Sequence, residues 1–126
     1  MMNAIISIKP QFVEQIAAGR KTYEYRKSVF KEEVDKVYIY ATAPVSKIIG
    51  EFRPIDILKG KPMDIWKQTK EFSGVNEQFF KQYYKGRDIA YAIVIKNLHM
   101  YEKGVDLPNG MHAPQSFCYT VVDHFG

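Results

Sequence analysis

The segment Gly19-Arg20-Lys21-Thr22-Tyr23-Glu24-Tyr25-Arg26 is the most informative part of this 126-residue chain. It has the pattern G-x-K-x-x-E-x-R, which brings three cations and one carboxylate together on a short segment. The pattern stands where a predicted helix gives way to a predicted strand. We therefore expect either a polar cleft at this junction or an ion pair that braces one end of a small fold.

The residues before this segment predict a helix. Pro10 suits the first helical turn, and four apolar residues follow at helical spacing: Phe12, Val13, Ile16 and Ala17. Gly19 is placed to end the helix in the left-handed conformation. The helix is preceded by a predicted strand at 4–8 and followed by one at 21–27.

The rest of the chain predicts further strands with two helices inserted between them. The strands are expected at 36–42, 47–58, 88–101 and 117–122, and the helices at 62–72 and 76–86, with a loop at 104–114. Gly50 and Pro54 indicate a bulge or an edge position within 47–58. Since bulges bend a sheet, we expect an α+β fold built on a small mixed barrel.

Composition places the chain among small soluble domains. At 46% hydrophobic it can build one core, so a single domain over 1–126 is expected. No apolar run approaches the roughly 18 residues of a membrane span, and no signal peptide is recognised, so we expect a cytoplasmic protein without membrane contact. Cys118 is the single cysteine and is expected to be a buried, inert thiol. The net charge of +4 makes nucleic acid a natural partner class.

Cofactor and metal patterns are missing from the sequence. His99, His112 and His124 lack partners at metal-ligand spacing, and no glycine-rich phosphate loop is present. We therefore expect no cofactor and no metal. The oligomeric state is left open.

Four segments in this order resemble the ASCH family of the PUA-like superfamily. They are the G-x-K-x-x-E-x-R segment, Ser7-Ile8-Lys9-Pro10, Tyr40-Ala41-Thr42-Ala43-Pro44 with Ile49-Gly50-Glu51, and Pro114-Gln115-Ser116-Phe117. Together they span most of the chain. The resemblance implies a PUA-like mixed β-barrel with flanking helices. It also implies a cleft between the segment at 19–26 and the loop before the last strand.

We expect five residues to bind a ligand in that cleft. Lys21 would bind phosphate, or act as a base once burial lowers its pKa. Glu24 would orient Lys21 or move protons, and Arg26 would grip a phosphate or carboxylate with two hydrogen bonds. Tyr40 and Ser116 would lie on the rim. A regular strand puts Lys21 on the opposite face from Glu24, unless the chain turns at residues 20–21. The alternative is a bracing Glu24–Arg26 ion pair with a solvated Lys21.

Basic residues interleaved with aromatic ones support nucleic acid as the ligand. One such cluster is Tyr23, Tyr25, Arg26, Lys27 and Phe30, and the other is Phe79, Phe80, Lys81, Tyr83, Tyr84, Lys85 and Arg87. Single-stranded nucleic acid stacks on aromatic rings beside a cationic track. In the second cluster the aromatic residues lie at helical spacing, so most of them are expected in the core. The leading hypothesis is binding of RNA or of a modified nucleoside or nucleotide.

The resemblance also implies two enzymatic alternatives. Some ASCH-like proteins are amidohydrolases acting on N4-acetylcytidine, and their catalytic lysine corresponds to Lys21. They carry threonine where this chain has Glu24, and they need a further glutamate, for which Glu77 is a better candidate than Glu71. Other members are ribonucleases that pair the lysine with a serine, a place that Ser116 could fill.

A third alternative is a protein-interaction module in transcription or translation, which the resemblance also allows. Such a module predicts an exposed apolar patch.

Overall fold

The computed structural model describes residues 2–125 and contains eight strands and three α-helices. In chain order the elements are β1 (Asn3–Ile8), α1 (Pro10–Ala17), β2 (Tyr23–Arg26), β3 (Val37–Ala41), β4 (Lys47–Arg53), β5 (Ile57–Gly60), α2 (Pro62–Thr69), α3 (Glu77–Tyr83), β6 (Ala90–Val94), β7 (Lys96–Val105) and β8 (Phe117–Thr120). A short 3-10 helix, Lys70–Phe72, extends α2. The fold is therefore of the α+β class, as the sequence predicts.

The larger sheet has five strands in the order β7-β4-β3-β1-β8. Two of its three inner strands, β1 and β3, run parallel and are buried along their whole length. Their apolar sequences on both faces had predicted this position. One face of the sheet packs around Ile6, Ile39 and Phe52, and the other around Tyr38 and Ile48.

The smaller sheet has three strands in the order β2-β6-β5 and is covered by α2 and α3. The buried residues between these layers are mainly aromatic and include Tyr25, Trp66, Phe80 and Tyr84. The helix α3 begins as the sequence predicts, because the Asn76 side chain accepts a hydrogen bond from the backbone N–H of Phe79 at 2.8 Å. This arrangement fixes α3 beside β2.

Two predicted strands are each divided between the two sheets, so the predictions of single strands at 47–58 and 88–101 were wrong. The first is interrupted at Pro54, which cannot donate to a ladder, and becomes β4 and β5. The second is interrupted at Ile95 and becomes β6 and β7, and Asn97 near the start of β7 has a φ of +53°. Apolar patterning shows that a segment is extended but does not show which sheet it joins.

The predicted barrel is not confirmed by the pairing of the strands. Within residues 2–125 the ladders form two separate sheets and no single closed one. The predicted bulge near Gly50 is present, because the β4–β7 register shifts between Ile48 and Gly50. A Cβ on Gly50 would lie 2.9 Å from the carbonyl oxygen of His99, so the close approach of β7 requires glycine here.

Across residues 2–125, none of the helices combines the length and the apolar character that crossing a lipid bilayer requires.

Candidate functional site

A cavity of about 320 Å³ opens where the ends of β1, β2 and β3 meet α1 and α3. Its polar side is formed by Lys21, Glu24 and Arg26. Its aromatic wall is formed by Phe12, Phe79 and Tyr83. The full set of lining residues is Ser7, Ile8, Lys9, Phe12, Lys21, Glu24, Tyr25, Arg26, Thr42, Val75, Phe79, Tyr83 and Gln115. The G-x-K-x-x-E-x-R segment is thus one wall of a cavity.

A turn between α1 and β2 brings Lys21 to the same side as Glu24. Gly19 takes a φ of +78°, and the backbone N–H groups of Arg20 and Lys21 both donate to the carbonyl of Gln15. β2 begins only at Tyr23, so Lys21 does not follow the alternation of the strand. Its Nζ lies 3.8 Å from Oε1 of Glu24. The turn that the sequence left open at residues 20–21 is therefore present.

Lys21 is buried with only 2% of its surface exposed, so the alternative of a solvated lysine was wrong. Its Nζ donates a 2.9 Å hydrogen bond to the carbonyl of Ser73 and lies 4.7 Å from the centre of the Tyr25 ring. Burial lowers the pKa of Lys21 from its usual 10.5, and Arg26 lowers this pKa further, while Glu24 partly offsets both. A lysine with a lowered pKa is more readily neutral, and a neutral amine can accept a proton.

The two oxygens of the Glu24 carboxylate have different partners. Oε2 accepts hydrogen bonds from Nε of Arg26 at 3.0 Å and from Nη2 at 2.7 Å. Oε1 faces the ammonium of Lys21. Glu24 is buried and only 12% of the Arg26 side chain is exposed, so each charge depends on the other for compensation. The bracing ion pair expected as an alternative is present.

Arg26 connects the two sheets through its guanidinium. Besides Glu24, Nη1 donates to Oγ of Ser116 at 3.2 Å and to its carbonyl at 3.4 Å, and Nη2 donates to the carbonyl of Ser7 at 2.6 Å. All three nitrogens of the guanidinium therefore donate to groups of the protein. A bidentate grip on a ligand therefore stays a prediction, and it requires Arg26 to exchange bonds that it makes within the protein.

Ser116 and Tyr40 occupy different surroundings. Ser116 is half-buried, contacts Arg26 and follows Gln115, which lines the cavity. Tyr40 is not brought to the cavity: it is 8% exposed and belongs to the cluster around Tyr38 on the other face of the larger sheet. At this point the register between β3 and β4 shifts, because a bulge lies between Ile39 and Tyr40.

The aromatic residues of α3 divide between the cavity and the core. Phe79 and Tyr83 line the cavity, and their rings are nearly parallel with centroids 6.4 Å apart. Phe12 of α1 meets Phe79 edge-on at 5.4 Å. Phe80 and Tyr84 lie in the core beside Trp66. Helical spacing predicted both pairs, but it did not indicate which pair faces the cavity.

Several lining residues were missed by sequence reasoning, among them Thr42, Val75 and Gln115. Thr42 and Gln115 lie within segments that resemble the ASCH family, and this resemblance was the signal that could have identified them as site residues. Val75 had none, because its position depends on the segment between α2 and α3 folding back onto Lys21.

The glutamates proposed as additional catalytic groups lie outside the cavity lining. Glu77 pairs with Lys81 at 2.9 Å and accepts a 3.0 Å hydrogen bond from the indole N–H of Trp66, and these contacts, the Lys81 pair first, lower the pKa of Glu77. Glu71 is exposed. Cys118 is half-buried, and burial raises the pKa of its thiol. Among residues 2–125, no group of three His, Cys, Asp or Glu side chains is arranged to hold a metal ion.

Comparison with known proteins relates this architecture to solved structures. A crystal structure of the ASCH protein from Zymomonas mobilis superposes with a TM-score of 0.85 and 26% identity, covering 94% of this chain and 87% of that one. A variant of the same protein gives a TM-score of 0.85 at 25% identity, with 94% and 89% covered.

Two curated relatives are longer than the matched region. One is an ASCH domain-containing ribonuclease from Zymomonas mobilis, 30% identical over 95 residues, which are 75% of this chain and 64% of that protein. The other is the large ribosomal subunit protein uL22 of Ureaplasma parvum, 32% identical over 89 residues, which are 69% of this chain and 29% of that protein. The chain thus spans less than two thirds of the length of each. The ASCH domain itself matches residues 6–101, and the chain therefore belongs to the ASCH domain family.

Proposed function

We propose that this chain binds RNA, or a modified nucleoside or nucleotide, in the cavity between the two sheets. One observation carries the proposal: a buried Lys21–Glu24 pair stands opposite an aromatic wall in a cavity of about 320 Å³. Cavities of this kind bind small planar ligands by burying their faces and satisfying a few polar atoms. A nucleobase has both an apolar face and a polar edge.

The aromatic wall suits the face of a base. Phe79 is 43% exposed, and Tyr83 is half-buried beside it. Stacking of a base on an aromatic side chain contributes about 1–3 kcal/mol and tolerates every base. The wall therefore supplies affinity and little discrimination among bases.

The polar side suits the edge of a base. Oε1 of Glu24 can accept a hydrogen bond, and Nζ of Lys21 has N–H groups beyond the one that it donates to Ser73. A ligand thus meets one acceptor and one donor 3.8 Å apart. Arg26 serves as a positioning residue that holds the carboxylate in place.

The cations near the cavity and the names of two relatives support a ligand that carries several phosphates. Lys9 stands on the cavity rim, and Nζ of Lys27 lies 4.8 Å from the ring centre of Tyr83. Cations beside a stacking surface attract the phosphates of a nucleic acid. Two of the relatives carry names that concern RNA, a ribonuclease and a ribosomal protein.

The second candidate function is hydrolysis of a modified base or of RNA, and the lowered pKa of Lys21 favours it. A neutral Lys21 would accept the proton of an attacking water or ribose hydroxyl, and Glu24 would carry it to the leaving group. The ribonuclease name of one relative agrees with this role. Ser116 would then act near Arg26, to which its hydroxyl is bound.

Binding measurements combined with product analysis test both functions. RNA and nucleosides are titrated into the wild type, Lys21→Ala and the exposed-lysine control Lys103→Ala, at low and moderate salt, and the same samples are analysed for products. Salt-sensitive binding that only Lys21→Ala weakens, without product, supports the binding function. Product that disappears only in Lys21→Ala establishes a hydrolase. If the folded wild type gives neither binding nor product, both functions are refuted and the protein-interaction module is left.

A further inference from the structure

A second groove, of about 600 Å³, adjoins α3 on the face next to the cavity. We call it the α2–α3 groove. An apolar floor is formed by Pro62, Met63, Phe80 and Tyr84, and the charged residues at its edges are Lys61, Lys81 and Arg87. Asp88 also lines it. Because Lys81 is paired with Glu77, the excess of positive charge comes from Lys61 and Arg87 against the single carboxylate of Asp88.

Among residues 2–125, two of the groove's three cations lack an acidic partner. Lys81 is paired with Glu77 along α3, and both side chains of this pair are more than half exposed. Within residues 2–125, neither Lys61 nor Arg87 makes an ion pair with an acidic side chain. Unpaired surface cations are the groups that release counterions when they bind phosphate.

Two arginines near α3, Arg26 and Arg87, differ in whether their guanidinium groups are free to bind a ligand. All three side-chain nitrogens of Arg26 donate hydrogen bonds within the protein. The guanidinium of Arg87 makes no hydrogen bond to any of the residues from 2 to 125 and is exposed. A free guanidinium presents two parallel N–H groups, which match two oxygens of a phosphate. The phosphate-binding role that the sequence suggested for Arg26 therefore suits Arg87 better.

A third cation, Lys27, lies beside the end of α3, where the cavity and the α2–α3 groove are lined by neighbouring residues. Tyr83 lines the cavity, its neighbour Tyr84 lines the groove, and their ring centres are 4.8 Å apart. Lys27 lies against the Tyr83 ring. A helix with its side chains is about 10–12 Å across, so a ligand that reaches both sites must be longer than one nucleoside.

From these observations we propose that the α2–α3 groove binds the phosphodiester backbone of a single-stranded RNA, one base of which occupies the cavity. Arg87 and Lys61 contact phosphates in the groove, and Lys27 contacts the backbone as it crosses the end of α3. The inference rests on the proposed function, since it places the flanking nucleotides of the same ligand. It makes the cavity the site that reads a base and the groove the site that lengthens the interface with RNA.

The test compares two double variants that remove the same amount of charge. Lys61→Gln/Arg87→Gln removes the two unpaired cations of the groove, and Lys96→Gln/Lys103→Gln removes two exposed cations of β7. Each protein is titrated with the four nucleosides and with a fluorescent, mixed-sequence, single-stranded RNA of about eight nucleotides, within the range that small single-strand modules cover. Circular dichroism checks that both variants are folded.

We expect the groove variant to bind the RNA about tenfold more weakly at low salt, with nucleoside affinity unchanged within about twofold. The slope of log K against log salt should fall by about 0.7 for each phosphate that the variant no longer neutralises, hence by about 1.4. An equally weakened β7 variant overturns the inference, since the effect would then be one of net charge. Nucleoside binding without any additional affinity for the RNA also overturns it, and leaves the proposed function intact. If wild type binds neither probe, the proposed function fails and the groove fails with it.

Discussion

The side chain of Lys21 lies directly against the backbone of Gly74. A Cβ on Gly74 would stand 2.6 Å from Cβ of Lys21 and 2.9 Å from its Cγ and Cδ. The flanking residue Ser73 accepts the hydrogen bond from Nζ, and its own hydroxyl donates to the carbonyl of Val75 at 2.7 Å. The segment from Ser73 to Val75 therefore packs against the buried Lys21 side chain. Glycine at position 74 makes this close approach possible.

The first prediction concerns this close approach. Gly74 and Gly86 both have left-handed backbones, with φ of +71° and +79°, but a Cβ on Gly86 would meet no atom within 4 Å. Alanine at either position should cost about 1–2 kcal/mol through its backbone conformation. Gly74→Ala should cost more and weaken nucleoside binding, because it also displaces Lys21. Urea unfolding and nucleoside titration of both variants provide the measurement, and equal destabilisation by the two substitutions would show that Gly74 does not hold Lys21.

The second prediction concerns pH. Between the lowered pKa of folded Lys21 and its unfolded value near 10.5, the unfolded chain binds more protons than the folded one. The wild type should therefore gain stability relative to Lys21→Met as pH rises through this window, and the difference should be constant below it. The comparison cancels groups that Lys21 does not contact. Tyr25 does contact Lys21, but burial raises its pKa to about 12, above the pH range of the measurement. The measurement is urea unfolding of both proteins from pH 7 to pH 10, and parallel curves would contradict it.

Local sequence signals predicted the elements that surround the site. Pro10 and Gly19 bound α1, Asn76 caps α3, and the apolar run of β3 is buried as expected. These signals succeed because capping, left-handed turns and burial on both faces depend on residues close in sequence. The grouping of Lys21, Glu24 and Arg26 was also predictable, since all three lie within six residues of one another.

Long-range features escaped prediction. Lys21 donates a hydrogen bond to the carbonyl of Ser73, which is 52 positions away in the sequence. Nothing in the local sequence around Ser73 indicates this hydrogen bond. The division of β4 from β5 and of β6 from β7 depends on which sheet each half joins. Tyr40 lies in a family-like segment, yet it packs in the core, because the face to which a strand residue points is set by register and bulges.

The third prediction compares two adjacent residues, Phe79 in the aromatic wall and Phe80 in the core. Phe79 is 43% exposed and Phe80 is 1% exposed. Phe80→Ala should destabilise the protein by about 3–5 kcal/mol, as expected for a large buried ring. Phe79→Ala should leave the protein folded and weaken base binding by about 1–3 kcal/mol. Chemical unfolding and nucleoside titration measure the two effects, and a Phe79→Ala protein that binds like wild type would exclude the wall as a stacking surface.

The last prediction concerns the connection between the sheets. Arg26→Lys keeps the charge but removes the forked hydrogen bonds to Glu24, Ser7 and Ser116, so it should cost about 3 kcal/mol or more through the loss of several hydrogen bonds that involve a charged group. Ser116→Ala removes only one side-chain acceptor and should cost about 1 kcal/mol. Unfolding free energies test the contrast. Hydrogen exchange at the Ser7 N–H, which donates to the Ser116 carbonyl at 2.9 Å, should accelerate only in Arg26→Lys.

The two variants also distinguish bracing from catalysis. If Ser116 only braces Arg26, any RNA-cleaving activity of Ser116→Ala should fall no further than its small destabilisation explains. Absence of product from a fully stable Ser116→Ala protein would instead assign the serine hydroxyl to the reaction, next to a guanidinium that already donates to it at 3.2 Å. That outcome would favour the hydrolase over the binding function, because a bracing hydroxyl has no reason to control the chemical step.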